Sequence, residues 1–256
     1  MATFVIHYIC SIMNLVIDIG NTQTKCGVFL NNKLIARFIF KQLTAKNLTA
    51  ILKKHEVTHC LLSAVADYAN EIDAVLKKTV HTVYLNYKTK LPIKNLYATP
   101  ATLGLDRVAN VVGAASLFPK QNCLITDAGT CIKFDFINAK KQYLGGAISP
   151  GISMRFKALH HYTDKLPLIK PQKKVMLIGN STKNSIASGV QNGALAEIEN
   201  IILRYKKKFG GIKVILTGGD MEPFARNIKS DIFAAPHLTL IGLNEILNFN
   251  SATEKQ

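Results

Sequence analysis

Twice in this chain an apolar run ends in an aspartate and a glycine and turns straight back into an alternating run. Leu15-Val16-Ile17-Asp18-Ile19-Gly20-Asn21-Thr22 leads into residues 25–29, and Cys123-Leu124-Ile125-Thr126-Asp127-Ala128-Gly129-Thr130 leads into residues 131–137. Aspartate and glycine stand in the same register in both. One such bend alone is an ordinary hairpin turn, because glycine and asparagine favour tight reversals. Two in matched register, each after a buried strand, describe a duplicated β-hairpin unit.

The residue choice suits an anion. Successive backbone N–H groups in such a bend point into one concavity that holds phosphate oxygens, and glycine lets the backbone approach closely. Asn21, Thr22 and Thr130 add small neutral donors. A strand-end aspartate is repelled by phosphate, so it must act through a cation. Asp18 suits a hydrated Mg²⁺, which keeps several of its waters. Lys25, on the returning strand, can reach back to the phosphates. Glycine punctuation recurs in Thr217-Gly218-Gly219-Asp220 after a further strand, where a base or ribose can lie against bare backbone. No G-x-x-x-x-G-K-[ST] loop is present, so a nucleotide would be held by a clamp of two hairpins.

The rest of the chain alternates strand and helix patterns. Strands are expected at 15–18, 24–30 and 33–40 (turning at Asn31-Asn32), 57–65 and 79–85. Helices are expected after Thr44, over 70–78, and from Pro100 to about Phe118. The second series has strands at 123–127 and 131–137, a hairpin through Gly145-Gly146, and a Pro150-Gly151 turn into a helix. A long helix over 184–208, a strand at 213–216 and a helix over 240–248 complete it. The pattern is that of two related α/β halves, 13–118 and 119–250, each opening with a β-hairpin sheet. Residues 1–12 read as a leader that is not native, with Met13 the natural start, and 251–256 as a polar tail.

Composition excludes several classes. The net charge of +16 favours anionic ligands. Its lysines are scattered in pairs and triplets at expected helix ends (Lys53-Lys54, Lys77-Lys78, 206–208), where they complement the helix dipole. Nucleic acid is therefore not the expected partner. No apolar run reaches the roughly 18 residues that cross a bilayer, so no membrane association is expected. Five cysteines without a C-x-x-C pair read as reduced thiols of a cytoplasmic protein. His160-His161 is no metal pair, because adjacent helical residues point about 100° apart.

D-x-G-N-T, D-A-G-T and T-G-G, in order across two related halves, resemble the superfamily of acetate and sugar kinases, heat-shock chaperone ATPases and actin. Within it the chain resembles the type III pantothenate kinase family. The residues that carry this are Asp18-Ile19-Gly20-Asn21-Thr22 with Lys25, Tyr97-x-x-Pro100, Gly104-Leu105-Asp106-Arg107 and Asp127-Ala128-Gly129-Thr130. Gly145-Gly146, Pro150-Gly151, Leu166-Pro167, Thr182, Ser188-Gly189 and Thr217-Gly218-Gly219 continue it, so that it spans residues 13–248.

The resemblance implies two ribonuclease H-like halves, an actin-like ATPase duplication, with the nucleotide in the cleft between them. It implies ATP-dependent phosphorylation of pantothenate, the first step of coenzyme A biosynthesis, by a homodimer. ATP binding falls to Asp18, Ile19, Gly20, Asn21, Thr22, Gln23, Thr24, Lys25, Thr130, Gly218 and Gly219. Pantothenate contacts fall to Tyr97, Gly104, Leu105, Asp106, Arg107 and Thr182, with Asp106 as the catalytic base. Mg²⁺ accompanies ATP at Asp18, through water, and Asp127 takes a monovalent cation, K⁺ or NH₄⁺. From chemistry alone, a carboxylate beside the attacking hydroxyl can take its proton, and Arg107 can fork onto a carboxylate. One departure stands out: Lys133 occupies a position where many relatives carry threonine.

Three rival readings remain. A sibling kinase would act on another small hydroxylated acceptor. A basic DNA-binding or transcription accessory protein would bind through its lysines, nonspecifically and with steep salt dependence. A two-metal nuclease would need more clustered carboxylates than Asp18, Asp106 and Asp127 supply.

Overall fold

The computed structural model describes residues 12–253; the expected leader and the end of the polar tail lie outside them, apart from Ile12 and residues 251–253. The first series of elements is β1 (Met13–Ile19), β2 (Thr24–Leu30), β3 (Lys33–Phe40), α1 (Ala45–His55), β4 (His59–Ala64), α2 (Asn70–Thr79) and β5 (His81–Tyr84). After β6 (Lys94–Asn95) and α3 (Leu105–Leu117) come β7 (Cys123–Ala128), β8 (Cys131–Ile137), β9 (Gln142–Pro150) and α4 (Ile152–His161). The chain closes with α5 (Thr182–Ala187), α6 (Gly193–Phe209), β10 (Lys213–Thr217), α7 (Met221–Ala225), β11 (Phe233–Ala234) and α8 (Leu238–Thr253).

The strand orders carry the duplication. The first sheet runs β3-β2-β1-β4-β5, and the second runs β9-β8-β7-β10-β11 with β6 added beyond β9. In each, the leading strand pairs antiparallel with the next and parallel with the fourth of its series. This is an α/β architecture of two mixed sheets, the actin-like ATPase fold. Among the described residues no helix is long and apolar enough to cross a membrane.

Packing divides the chain into two units that do not follow chain order. One runs to Pro92 and includes Leu103–Ala109 and the chain from Thr239; the other comprises Ile93–Thr102 and Asn110–Leu238. In the first, α1 and α2 lay Leu48, Ile51, Leu52, Ile72 and Leu76 on Leu15, Ile17, Val28 and Leu62 of the sheet. β1 is apolar along nearly its whole length because it lies at the sheet's centre, whereas β3, at the edge, alternates exposed and half-buried residues. In the second unit Leu124, Phe134, Phe136 and Leu216 pack with Phe156 of α4 and Ala194, Ile198 and Ile202 of α6.

The local chemistry expected at the turns is present. Asn31 and Asn32 take φ of 47° and 66°, the left-handed pair a two-residue hairpin requires. Thr44 caps α1, its hydroxyl accepting from the Asn47 N–H at 3.2 Å. Three expectations need correction. Gly145-Gly146 is not a turn: β8 and β9 are joined at residues 138–141, where the Asn138 side chain accepts from the backbone of Lys140 and Gln142. The two glycines lie inside β9, where a Cβ on Gly146 would sit 1.6 Å from the Phe134 carbonyl oxygen. The helix expected from Pro100 is a 3-10 turn over Pro100–Thr102 and then α3, which restarts with the Gly104 carbonyl accepting from Val108. The long helix is interrupted by a π turn over Ser188–Asn192, whose end residues donate side-chain hydrogen bonds to the Leu177 and Met176 carbonyls.

An asparagine cluster ties α8 to the first sheet. The Asn14 amide donates to Asn244 at 2.9 Å and Asn248 at 2.7 Å, and both of those donate to Asn32 in the hairpin turn. Asn244 is buried and Asn248 only half so. Leaving a buried amide unanswered costs about 1–3 kcal/mol, so Asn244→Ala is expected to lower Tm by about 2–12 °C, and Asn248→Ala by less. Calorimetric unfolding that reversed this order would break the account.

Candidate functional site

The first bend is built by the β1–β2 pairing. Register sets Asp18 opposite Lys25 on β2 and opposite Ser63 on β4, so their side chains share one face at the strand end. The turn closes with the Gly20 N–H donating to the Gln23 carbonyl at 3.1 Å, and a Cβ on Gly20 would sit 3.2 Å from that oxygen. Asn21 and Thr22 are exposed at the tip, Thr24 is buried, and Asp18 is nearly so. The Ser63 hydroxyl beside Asp18 is fully buried and has no hydrogen-bond partner among the described residues. A carboxylate with an unanswered hydroxyl on the same face fits a hydrated divalent ion. Burial, and then the charge of Asp18, push the Cys26 thiol up to about 12. Cys26 is an inert filler.

The Asp106 carboxylate is positioned by its own helix start. Its Oδ1 accepts from the Arg107 N–H at 2.9 Å, and the first turn of a helix favours its charge. Gly104 leaves it room, since a Cβ there would lie 2.7 Å from Asp106 Oδ1. Leu105 and Asp106 are half-buried, and Arg107 is only 4% exposed.

The second bend is more elaborate. Register sets Asp127 opposite Lys133 on β8 and opposite Thr217 on β10. Asp127 Oδ2 receives the Lys133 ammonium at 2.7 Å and the Asn110 amide at 3.1 Å. Its Oδ1 faces the third glycine bend: a Cβ on Gly218, whose φ is +101°, would lie 2.5 Å from it and 2.1 Å from the Ala128 carbonyl oxygen. The Asp220 N–H donates to the same carbonyl at 2.9 Å, and burial raises the Asp220 carboxyl above its ordinary value. Thr130 is exposed at the tip, and its carbonyl accepts from Gly151 at 3.1 Å. The structure thus brings Asp127, Thr130, Gly218 and Gly219 into one cluster of bends.

This cluster does not fit the monovalent cation expected at Asp127. One carboxylate already faces one ammonium and one amide donor on the same oxygen. At an effective dielectric of about 20, a second unit cation 4 Å from that ammonium is repelled by about 4 kcal/mol. The expectation gave Lys133 no partner; β-register supplies it.

Tyr97 and Thr182 belong to the second unit. The Tyr97 ring stacks on Tyr143 at 6.0 Å between centroids, and the Tyr143 hydroxyl donates to buried Asp135 at 2.6 Å. Thr182 starts α5, which Ser181 caps, and lines an open hollow of about 650 Å³ with Leu159, Leu166, Gly179 and Asn180. Asn110 and Ser63 were missed by sequence reasoning. Asn110 was hidden in the apolar run VANVVGAASL, where an isolated amide one turn after Asp106 was the available signal. His160 turns its Nδ1 to the Leu166 carbonyl at 2.8 Å, and among the described residues no group of three or more His, Cys, Asp or Glu side chains could hold a metal.

Comparison with known proteins agrees in family and fold. The family model for type III pantothenate kinase matches residues 14–204. The chain is 46% identical over 239 residues to the type III pantothenate kinase of Cytophaga hutchinsonii, covering 93% of this chain and 100% of that one. It is 45% identical to that of Christiangramia forsetii, covering 93% and 99%. Among solved structures, a Campylobacter jejuni protein named for the Baf family of transcriptional activators superposes with a TM-score of 0.60 at 22% identity, over 93% of this chain and 99% of that one. The activator of 2-hydroxyisocaproyl-CoA dehydratase from Clostridium difficile, with bound ADPNP, does so with a TM-score of 0.52 at 13% identity, over 96% and 98%. These two likenesses are of fold.

Two glycine substitutions separate positioning from folding. Gly104→Ala would bring a Cβ 2.7 Å from Asp106 Oδ1, with the Arg107 side chain in ordinary contact, and is expected to lower kcat on the order of 10–100-fold with Tm little changed. Gly218→Ala meets backbone at positive φ and is expected to destabilise the protein by about 1–3 kcal/mol. Thermal unfolding beside steady-state kinetics checks both.

Proposed function

The chain belongs to the type III pantothenate kinases, and we propose that its strand-end bends hold ATP while Asp106 takes the proton from the pantothenate hydroxyl. The reaction is phosphorylation of pantothenate in coenzyme A biosynthesis. The observation that best supports the site assignment is the meeting of the Asp127–Thr130 and Gly218–Gly219 bends. There β7 and β10 end side by side and only glycine fits between carboxylate and carbonyl.

In this reading the backbone N–H groups at the exposed tip of the first bend, about Asn21 and Thr22, with Lys25, and of the bend at Thr130 cradle the phosphates, and Gly218 and Gly219 leave space for the nucleoside. Asp18, with the Ser63 hydroxyl beside it, would hold a hydrated Mg²⁺, which when bound would supply positive charge against the phosphates. Gly104, Leu105 and Arg107 orient the acceptor together with Tyr97 and Thr182, Arg107 offering its guanidinium to the pantothenate carboxylate. The hydroxyl oxygen attacks the γ-phosphorus, the bond to the β–γ bridging oxygen breaks, ADP leaves, and the hydroxyl proton passes to Asp106. The protein acts as a homodimer, which light scattering tests.

ADP release measured with Mg-ATP should require pantothenate and be absent with sugars or other small hydroxy acids. Turnover on those acceptors instead would transfer the reading to a sibling kinase. Asp106→Asn should lower kcat by about 10²–10⁴-fold while ATP affinity and Tm stay at wild-type values. Near wild-type kcat in that variant would remove Asp106 from its role.

A further inference from the structure

We propose that the Lys133 ammonium stands in place of the monovalent cation at Asp127, so that this kinase turns over with no requirement for potassium or ammonium in solution. The inference rests on the placing of ATP at the second and third bends, and on three observations. Lys133 and Asp127 are direct partners in the β7–β8 register, so the ammonium is delivered to the carboxylate by the sheet itself. Nζ lies 2.7 Å from Oδ2, with the two side chains only 17% and 13% exposed, where solvent ions screen the pair little. Asn110 donates to the same oxygen, and the other oxygen is walled by the Gly218 bend.

A lysine head is an alkylated ammonium, the same charge and donor type as one of the two cations the family resemblance names. Tethering removes the need to capture it from solution, because a linked group has an effective concentration of millimolar or more. The pair is also electrically complete. A further cation bound to Asp127 would sit beside that ammonium in a largely buried place and be repelled by it. Lys133 is therefore a positioning residue: it fixes the carboxylate that abuts the Gly218–Gly219 bend and supplies its counter-charge. Threonine at this position would remove that charge and reopen the site to a solution cation.

The test replaces choline chloride by KCl at constant ionic strength, following kinetics and thermal unfolding in parallel. For the wild type, kcat/KM for ATP is expected to change by less than about twofold, and Tm not to respond to potassium specifically. Lys133→Thr is expected to lose most turnover in choline and recover on the order of tenfold or more with KCl, with a Tm that rises specifically with potassium. A merely structural lysine would give no such rescue. Stimulation of the wild type by potassium of about tenfold, or Lys133→Thr indifferent to the choice of cation, would overturn the inference. If Lys133→Thr fails to fold, the wild-type titration alone decides. If no buffer supports pantothenate-dependent turnover, the kinase reading fails separately. The wild-type Tm series then still decides whether Lys133 holds the Asp127 site: a potassium-specific rise refutes that, and its absence upholds it.

Discussion

The antiparallel pairing of each leading strand with the strand after it governs the rest of the molecule. In both sheets that pairing sets a strand-end aspartate opposite a lysine, Asp18 with Lys25 and Asp127 with Lys133. A slip of one residue would turn each carboxylate to the opposite face and expose the buried side of the strand. The apolar residues that secure the register, Leu15, Ile17, Leu124 and Ala128 among them, belong to the two cores. Core packing and site geometry are thus one constraint, and a charge can be held at a strand end because the strand itself has no freedom to move.

Much of this was legible because it is local. Strand limits at 24–30 and 33–40, the Asn31-Asn32 turn and the Thr44 cap depend on residues within a few positions of each other. The paired D-x-G bends and their neighbours at Gly104 and Gly218 were legible as glycines, though not for their full reason. Gly218 answers a carbonyl 90 residues away in sequence, that of Ala128, and Gly146 answers the Phe134 carbonyl on the neighbouring strand. Gly145-Gly146 reads as a turn in the sequence because close approach and chain reversal select the same residue. The turn itself is made by Asn138, whose side chain stands in for backbone acceptors.

Asn110, Ser63 and the partner of Lys133 needed the third dimension. An asparagine in an apolar helix reads as a tolerated polar residue until its amide is found on Asp127. A serine in a buried strand reads as a small filler until register sets it beside Asp18. Lys133 showed in the sequence as a departure from the family pattern, but the sign of its effect depended on whether it faced a phosphate or a carboxylate.

That distinction also bears on the nuclease reading. Two-metal chemistry places carboxylates so that two ions share them. Here Asp127 is already answered by an ammonium and an amide, and Asp135, a buried carboxylate on the adjoining strand, is bonded to the Tyr143 hydroxyl. What the second bend presents outward is therefore glycine backbone and the Thr130 hydroxyl rather than free negative charge. On the proposed reading, a surface of N–H donors whose nearby carboxylate is already neutralised suits a phosphate chain. Lys133, six residues after Asp127 and paired with it across the β7–β8 ladder, removes the free negative charge that two-metal chemistry would need.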